Sequence, residues 1–243
     1  MELYENIAEY YDELYAAGDD VKKFYAEETK SFAAPVKYLS IGCGSGTFEH
    51  YLAKGNADVT GLETIPQLIE SANRKRRTQL MALRFFQMSS LEMCRFLGKA
   101  FYDVISIPNN RIIYTHDSTL MAKLFYDCKQ LLTPNGKLII KLPNFEKLRI
   151  EPVAKLPVRE SIRVKLFTSI KTRADGKKIV HQELETGNGK KLTVTDDAEI
   201  LPLTKNQIEQ FAKDAGFTKI TFYADFNRNE FTTKSDDLIV VIS

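Results

Sequence analysis

The sequence predicts an α/β protein built on a doubly wound sheet, with a small antiparallel β insert set into it. Three observations carry that prediction. Apolar runs alternate with amphipathic stretches from about residue 36 to residue 143, the rhythm of strand–helix units in a parallel sheet. Gly42, Gly44 and Gly46 stand between the first such run and the helix after it. After about residue 145 the rhythm gives way to three strand-like runs joined by Asp175-Gly176 and Gly187-Asn188-Gly189, sequences of the kind that close hairpins.

The elements follow in order. Residues 20–33 bring Val21, Phe24, Tyr25 and Phe32 to one helical face. VKYLSI reads as a buried strand, and GTFEHYLAKG as a helix with Phe48, Tyr51 and Leu52 inward and Gly55 ending it. ADVTGLE is the second strand, and PQLIESANRKRR a helix with Pro66 in its first turn. LRFFQM and YDVISIP are two further strands, and Ser118 caps a long helix carrying Leu120, Met121, Leu124, Phe125, Cys128, Leu131 and Leu132. A PNG turn then leads into the strand KLIIKLP. Beyond the insert, Thr204 with Gln207 fits a capping box and Gly216 a helix end, and the runs TKITFYADF and DLIVVIS finish the chain. Residues 1–145 and 201–243 are expected to form the main domain, and 146–200 the insert.

Composition bounds the setting. Hydrophobic and charged residues make up 44% and 27% of the 243-residue chain, as in an ordinary globular protein. A formal net charge of +2 argues neither for nor against nucleic acid. The opening MELYENIAEYYDELY lacks an apolar core of signal-peptide type. No apolar run approaches the ~20 residues of a membrane span, and the three cysteines have no metal-ligand spacing. The reading is a cytoplasmic protein without a metal.

Glycines between a strand and a helix permit a tight turn and let a ligand approach free backbone amides. Glu63 ends the second strand, where a carboxylate can accept both hydroxyls of a ribose. A dinucleotide loop wants G-x-G-x-x-G. Here Thr47 holds that last position and the spacing is G-x-G-x-G, which disfavours a nicotinamide cofactor and an oxidoreductase.

LSIGCGSG, Glu63, FYDVISIPNN, LLTPNGKLII and the closing YADFNRNEFTTKSDDLIVVIS, taken in that order, resemble the motifs of class I S-adenosylmethionine-dependent methyltransferases. The small-molecule branch acting on glycine, amines and antibiotic sugars is the most similar. The resemblance implies a seven-stranded sheet with its last strand antiparallel, S-adenosylmethionine as cofactor and S-adenosylhomocysteine as product. It implies a cofactor set of Ser40, Gly42, Cys43, Gly44, Gly46, Glu63, Thr64, Ser89, Ser90, Pro108 and Asn109. Three positions depart from the pattern, one of them Ile65, where a serine often follows the second-strand acid by two. Ser40 stands where the family usually has an acid that helps hold the methionine ammonium, and Ser89 where an acid or amide meets the adenine amine. These departures keep a second reading open, a catalytically degenerate nucleoside-binding protein.

Methyl transfer from a sulfonium needs no proton for its leaving group, so near-attack positioning can carry it; a hydroxyl nucleophile still needs a base. No triad is evident. Tyr11, with Asp12, resembles the family's tyrosine–aspartate pair in a segment that folds over the cofactor, and Asn110 resembles its asparagine after the fourth strand. Tyr11, Asn110 and Tyr114 are the candidate acceptor contacts, and Tyr11, Tyr114 and His181 the candidate catalytic groups; His116 is a weaker candidate. In similar methyltransferases an insert at this point roofs the substrate. Residues 147–191 hold twelve lysines and arginines against five acids, a pattern that guards sheet edges and would also attract an anionic small molecule. Arg74-Lys75-Arg76-Arg77 suits a helix C-terminus, and no aromatic-interleaved basic patch supports an RNA substrate. The expected partner is a small-molecule methyl acceptor, with N- or O-transfer and a homodimer left open, and neither membrane nor nucleic acid.

Overall fold

A computed structural model of the chain describes residues 5–76, 82–148 and 153–243. Strands β1 (Lys37–Ile41), β2 (Asp58–Glu63), β3 (Leu83–Gln87), β4 (Tyr102–Ile107) and β5 (Leu132–Pro143) come first. The short β6 (Val153–Lys155) and β7 (Arg159–Glu160) follow, then β8 (Val164–Thr172), β9 (Lys178–Thr186) and β10 (Lys191–Ile200). Strands β11 (Ile220–Tyr223) and β12 (Asp237–Ile242) close the chain. One seven-stranded sheet has the order β11-β12-β5-β4-β1-β2-β3. β1 to β5 pair in parallel, and β12 runs antiparallel to both its neighbours. A second, antiparallel sheet has the order β10-β9-β8-β6, with β7 also on β8.

The core shows why the runs read as continuous hydrophobic strands. In β5, Leu138, Ile140 and Leu142 face one side and Ile139 the other; in β12, Leu238, Val240 and Ile242 face the first side and Ile239 and Val241 the second. Both faces are covered, so the central stretches are continuously apolar. The first face packs on α6 (Met93–Phe96), α7 (Ser118–Leu131) and α9 (Lys205–Asp214), the second on α3 (Asp19–Thr29), α4 (Thr47–Lys54) and α5 (Pro66–Arg76). Each fully buried aliphatic side chain contributes ~1.5–3 kcal/mol. The insert has its own apolar seam: Val164, Leu166, Leu184 and Val194 pack on Ile7 of α1 (Glu5–Ala8), on Tyr11 and Leu14 of α2 (Tyr11–Leu14), and on Leu68 of α5.

The structure corrects several local expectations. Tyr51 of α4 is exposed, and Glu49 and Ala53 are the residues that helix buries. Asp117, not Ser118, caps α7, its carboxylate accepting from the amides of Thr119 and Leu120. The PNG segment lies within β5, where pairing with β4 slips between Tyr102 and Val104. α3 stops at Thr29, short of Phe32. Strands β6 and β7 were too short to carry a periodicity. Arg77 and residues 149–152 of the basic segment lie outside the described residues.

Asp12 anchors the N-terminal segment. Its carboxylate accepts from Ser45 and Thr47 at the glycine loop and pairs with Lys75 (3.2 Å) and Arg76 (2.7 Å) at the end of α5. Burial pulls its pKa upward, but the Ser45 and Arg76 hydrogen bonds outweigh that and hold it at about 2. A carboxyl held low in the folded state stabilises it above the unfolded value, and the contribution fades as pH falls toward 2. Asp12→Asn is therefore expected to cost about 1–2 kcal/mol at pH 7 and to expose the Tyr10–Tyr15 stretch to chymotrypsin. Unchanged cleavage kinetics would show that the anchor lies elsewhere.

Candidate active site

The carboxyl ends of β1, β2, β4 and β5 gather under the N-terminal helices and the insert, and three neighbouring cavities open there. β1 runs into Gly42, whose amide, with that of Cys43, donates to the Leu62 carbonyl (2.8 and 3.0 Å) and ties the loop to the end of β2. Gly42 and Gly44 take positive φ, +78° and +58°, and their bare faces lie against the side chains of Arg111 and Tyr11. Gly46 is different. Its bare face meets the Phe85 ring, so packing of α4 on β3, not ligand approach, requires a glycine there.

Glu63 is almost fully buried, at 2% exposure. One carboxylate oxygen accepts from the Gly44 amide (3.0 Å) and the Arg111 guanidinium (2.8 Å), the other from the amides of Thr64 (2.8 Å) and Ile65 (3.2 Å). A carboxylate offers about four acceptor positions, and all four are taken. Three of these donors are backbone amides and the fourth is a side chain; the Thr64 hydroxyl makes a longer contact at 3.5 Å. Arg111 opens a 3-10 turn, Arg111–Tyr114, entered through Asn109 and Asn110, both at positive φ. Burial would lower its pKa, but the Glu63 carboxylate together with Tyr11, Tyr114 and Tyr15 outweighs that and keeps the guanidinium charged.

Arg111 and the Tyr11 ring, which stacks on Tyr15 at 4.4 Å, divide two cavities. On one side a space of about 220 Å³ is lined by Ile41, Leu62, Met88, Leu91, Ser89 and Ser90 among others. On the other a space of about 240 Å³ is lined by Tyr25, Cys43, Thr47, Glu49 and Pro108 among others. A nucleoside joined to an amino acid would fit this arrangement: an apolar slot with hydroxyls for the base, Glu63 for the ribose, exposed glycine backbone along the middle, and a polar cavity for the amino-acid end. What fills the middle strip is two side chains, which can move, and not backbone.

The remaining candidates fall as follows. Thr64 and His116 line the Ser89 cavity, and Tyr114 lines both that cavity and a third, of about 290 Å³, roofed by the insert. Tyr11, Asn109 and Asn110 also line the roofed cavity. Ser40 is buried and donates to Glu49 (2.5 Å). Burial raises the Tyr11 phenol well above its ordinary range, so it serves as a donor and not a base near neutral pH. His181 lies on β9 with Nδ1 3.4 Å from Asp196 and is absent from the lining of the three cavities.

Four residues of the roofed cavity escaped the sequence reading. Lys141 at the end of β5 donates to Asp237 (2.6 Å) and to Asn110 (3.0 Å), and its pKa is lowered, chiefly by burial. Arg159 lies over the Tyr15 ring at 4.5 Å. With Asp237, these two cations line both the roofed cavity and the Glu49 cavity. Nothing local marked them: a lysine near the end of one strand and an arginine opening a two-residue strand are ordinary in sequence. Arg111 directly follows the run FYDVISIPNN, without a signal of its own.

Comparison with known proteins agrees with this geometry. The profile of the family described as "Methyltransferase domain" matches residues 34–216. A protein of Geobacillus sp. (strain WCH70), provisionally named a methyltransferase, is 26% identical over 149 residues, covering 60% of this chain and 59% of that protein. The chain thus aligns with about three fifths of that relative's length. The crystal structure of an S-adenosylmethionine-dependent methyltransferase from Clostridium acetobutylicum ATCC 824 superposes with a TM-score of 0.80 at 15% identity, over 99% of this chain and 98% of that one. The CcbJ methyltransferase from Streptomyces caelestis gives 0.77 at 18%, over 97% and 95%. These structures share the fold, and among the described residues no helix is long and apolar enough to cross a membrane. The chain belongs to the family described as methyltransferase domain, and it shares the fold of these methyltransferase structures.

Proposed function

We propose that the chain transfers the methyl group to a nitrogen or oxygen of a small, anionic molecule held under the insert. The carrying observation is that the roofed cavity and the Glu49 cavity share one wall, made of Tyr11, Tyr15, Asn109, Lys141, Arg159 and Asp237. An acceptor in the first would look directly onto the amino-acid end of a cofactor in the second. The bound cofactor supplies an electrophilic methyl on a sulfonium. The chain supplies position: Glu63 and the glycine loop hold one partner, and the β8–β10 sheet and the N-terminal helices enclose the other, so that the pair meets in near-attack geometry.

Charge favours an anionic acceptor. Of the three cations in the roofed cavity, Arg111 is paired with Glu63 and Lys141 with Asp237. Among the described residues Arg159 has no carboxylate within ion-pair distance; its guanidinium meets the Leu14 carbonyl (3.3 Å) and the Tyr15 ring, so it can engage a carboxylate or phosphate.

The test is titration with S-adenosylmethionine, S-adenosylhomocysteine and NAD, followed by mass-spectrometric screening of amines and hydroxyl compounds with and without a phosphate or carboxylate. The expected result is binding of the sulfur ligands alone and turnover of an anionic acceptor, with Arg159→Ala raising KM at least tenfold and changing kcat less. Firm cofactor binding without turnover would favour a degenerate binding protein. Equal turnover of neutral and anionic acceptors would remove the role given to Arg159.

A further inference from the structure

We propose that Glu49, projecting from α4, is the carboxylate that receives the α-ammonium of the cofactor's methionine end; the proposal rests on the cofactor reading above. Glu49 is 1% exposed and lines the cavity across the glycine loop from the Ser89 slot. Among the described residues no lysine, arginine or histidine lies within ion-pair distance of it, and its near partner is the Ser40 hydroxyl at 2.5 Å. A buried carboxylate without a cation is costly to the fold. It is explained if the cation arrives with the ligand.

The other acids lining this cavity do not compete. Asp237 is held by Lys141 at 2.6 Å, and Asp20 lies exposed on the first turn of α3. Geometry also accounts for Ser40. The β1 position next to the loop carries a hydroxyl instead of an acid, and that hydroxyl is spent orienting an acid supplied from the neighbouring helix. The carboxylate has moved from strand to helix, with serine as its positioning partner.

The surroundings make the site proton-linked. Glu49 faces Ser40 on β1, Cys43 in the loop, Tyr25 on α3, Glu63 at the end of β2 and the more distant Arg76 of α5. Burial raises its pKa to about 7, with Glu63 adding to the rise and Ser40 and Arg76 opposing it. An arriving ammonium favours the ionised form. Below pH 7, binding therefore converts Glu49 from acid to carboxylate, forms an N–H···O ion pair and releases the proton to solvent. Affinity for the amino-acid end should rise with pH up to about 7 and then level.

The test compares S-adenosylhomocysteine with 5′-methylthioadenosine, which keeps the nucleoside and the thioether but lacks the amino acid. Calorimetry of wild type, Glu49→Gln and Ser40→Ala at pH 6 and pH 8, in two buffers of different ionisation enthalpy, reads affinity and proton release together. The expected result is a loss of at least twentyfold for S-adenosylhomocysteine in Glu49→Gln, with methylthioadenosine affinity held within threefold. The wild type should release most of a proton at pH 6, and the variant none. Equal losses for both ligands, or no loss, would overturn the assignment while leaving the cofactor reading intact. Binding of neither ligand by the wild type would overturn both. Should Glu49→Gln fail to fold, the wild-type comparison decides: proton release on binding S-adenosylhomocysteine but not methylthioadenosine supports the assignment, and equal release overturns it.

Discussion

Arg111→Ala is expected to bind S-adenosylhomocysteine about tenfold more tightly than the wild type, a gain of about 1.4 kcal/mol, while unfolding at a lower temperature. Both effects come from one ion pair. Glu63 has no acceptor position left for ribose hydroxyls, because three backbone amides and Arg111 take all four. Binding must displace one donor, and only Arg111 can leave without unfolding the loop. Its side chain also lies over the bare face of Gly42, where a ligand would approach the backbone. The wild type therefore breaks a buried ion pair each time it loads, and the alanine variant does not. The opposite sign holds for stability. Removing one member of a buried pair typically costs 3–5 kcal/mol; here about 3 is expected, since the Arg111 side chain is 21% exposed and Glu63 keeps its amides. That corresponds to a fall of roughly 6–12 °C in Tm for a domain of this size. Calorimetry and thermal unfolding check the two halves separately. Weaker binding by Arg111→Ala would mean that the guanidinium itself holds the ligand, and the picture of a displaced side chain would fail.

The ion pair marks where sequence reasoning stopped. The sheet was legible because parallel strands buried on both faces are apolar through their buried stretch, as Leu138, Ile139 and Ile140 are, and because glycine and capping signals are local. The Thr204–Gln207 capping box appears as read. The positions of Glu63 and the glycine loop follow from the same local logic. Arg111 does not, since its reach across Gly42 depends on two consecutive left-handed asparagines and a 3-10 turn. The insert's three long strands announced themselves by alternation and glycine turns; that its seam would close on Ile7, Tyr11 and Leu14 is a tertiary fact. Glu49 was missed for a different reason. A helix face is read by its apolar residues, and Phe48 and Leu52 do pack on the core with Ala53, but the helix leaves Tyr51 exposed and buries Glu49. A buried acid looks, in sequence, like any solvated one.

Glu49 gives the second large effect, and it requires no ligand. Glu49→Gln is expected to raise stability at pH 8 by on the order of 3 kcal/mol and to leave it unchanged at pH 4.5. The folded-state pKa of about 7 stands above the ordinary 4.5, so between those values the native chain binds a proton that the unfolded chain has lost. Stability falls as pH rises through that window, and above pH 7 the wild type carries the whole cost of a buried, unpaired charge. Glutamine fits the same space, can accept from Ser40 through its carbonyl oxygen and carries no charge, so its curve lacks this slope. In thermal unfolding the two proteins should melt together near pH 4.5 and separate by roughly 6–12 °C at pH 8. Parallel curves would mean that Glu49 does not titrate in that window. Saturating S-adenosylhomocysteine at pH 8 should then narrow the gap, because the ammonium supplies to the wild type the partner that the fold withholds.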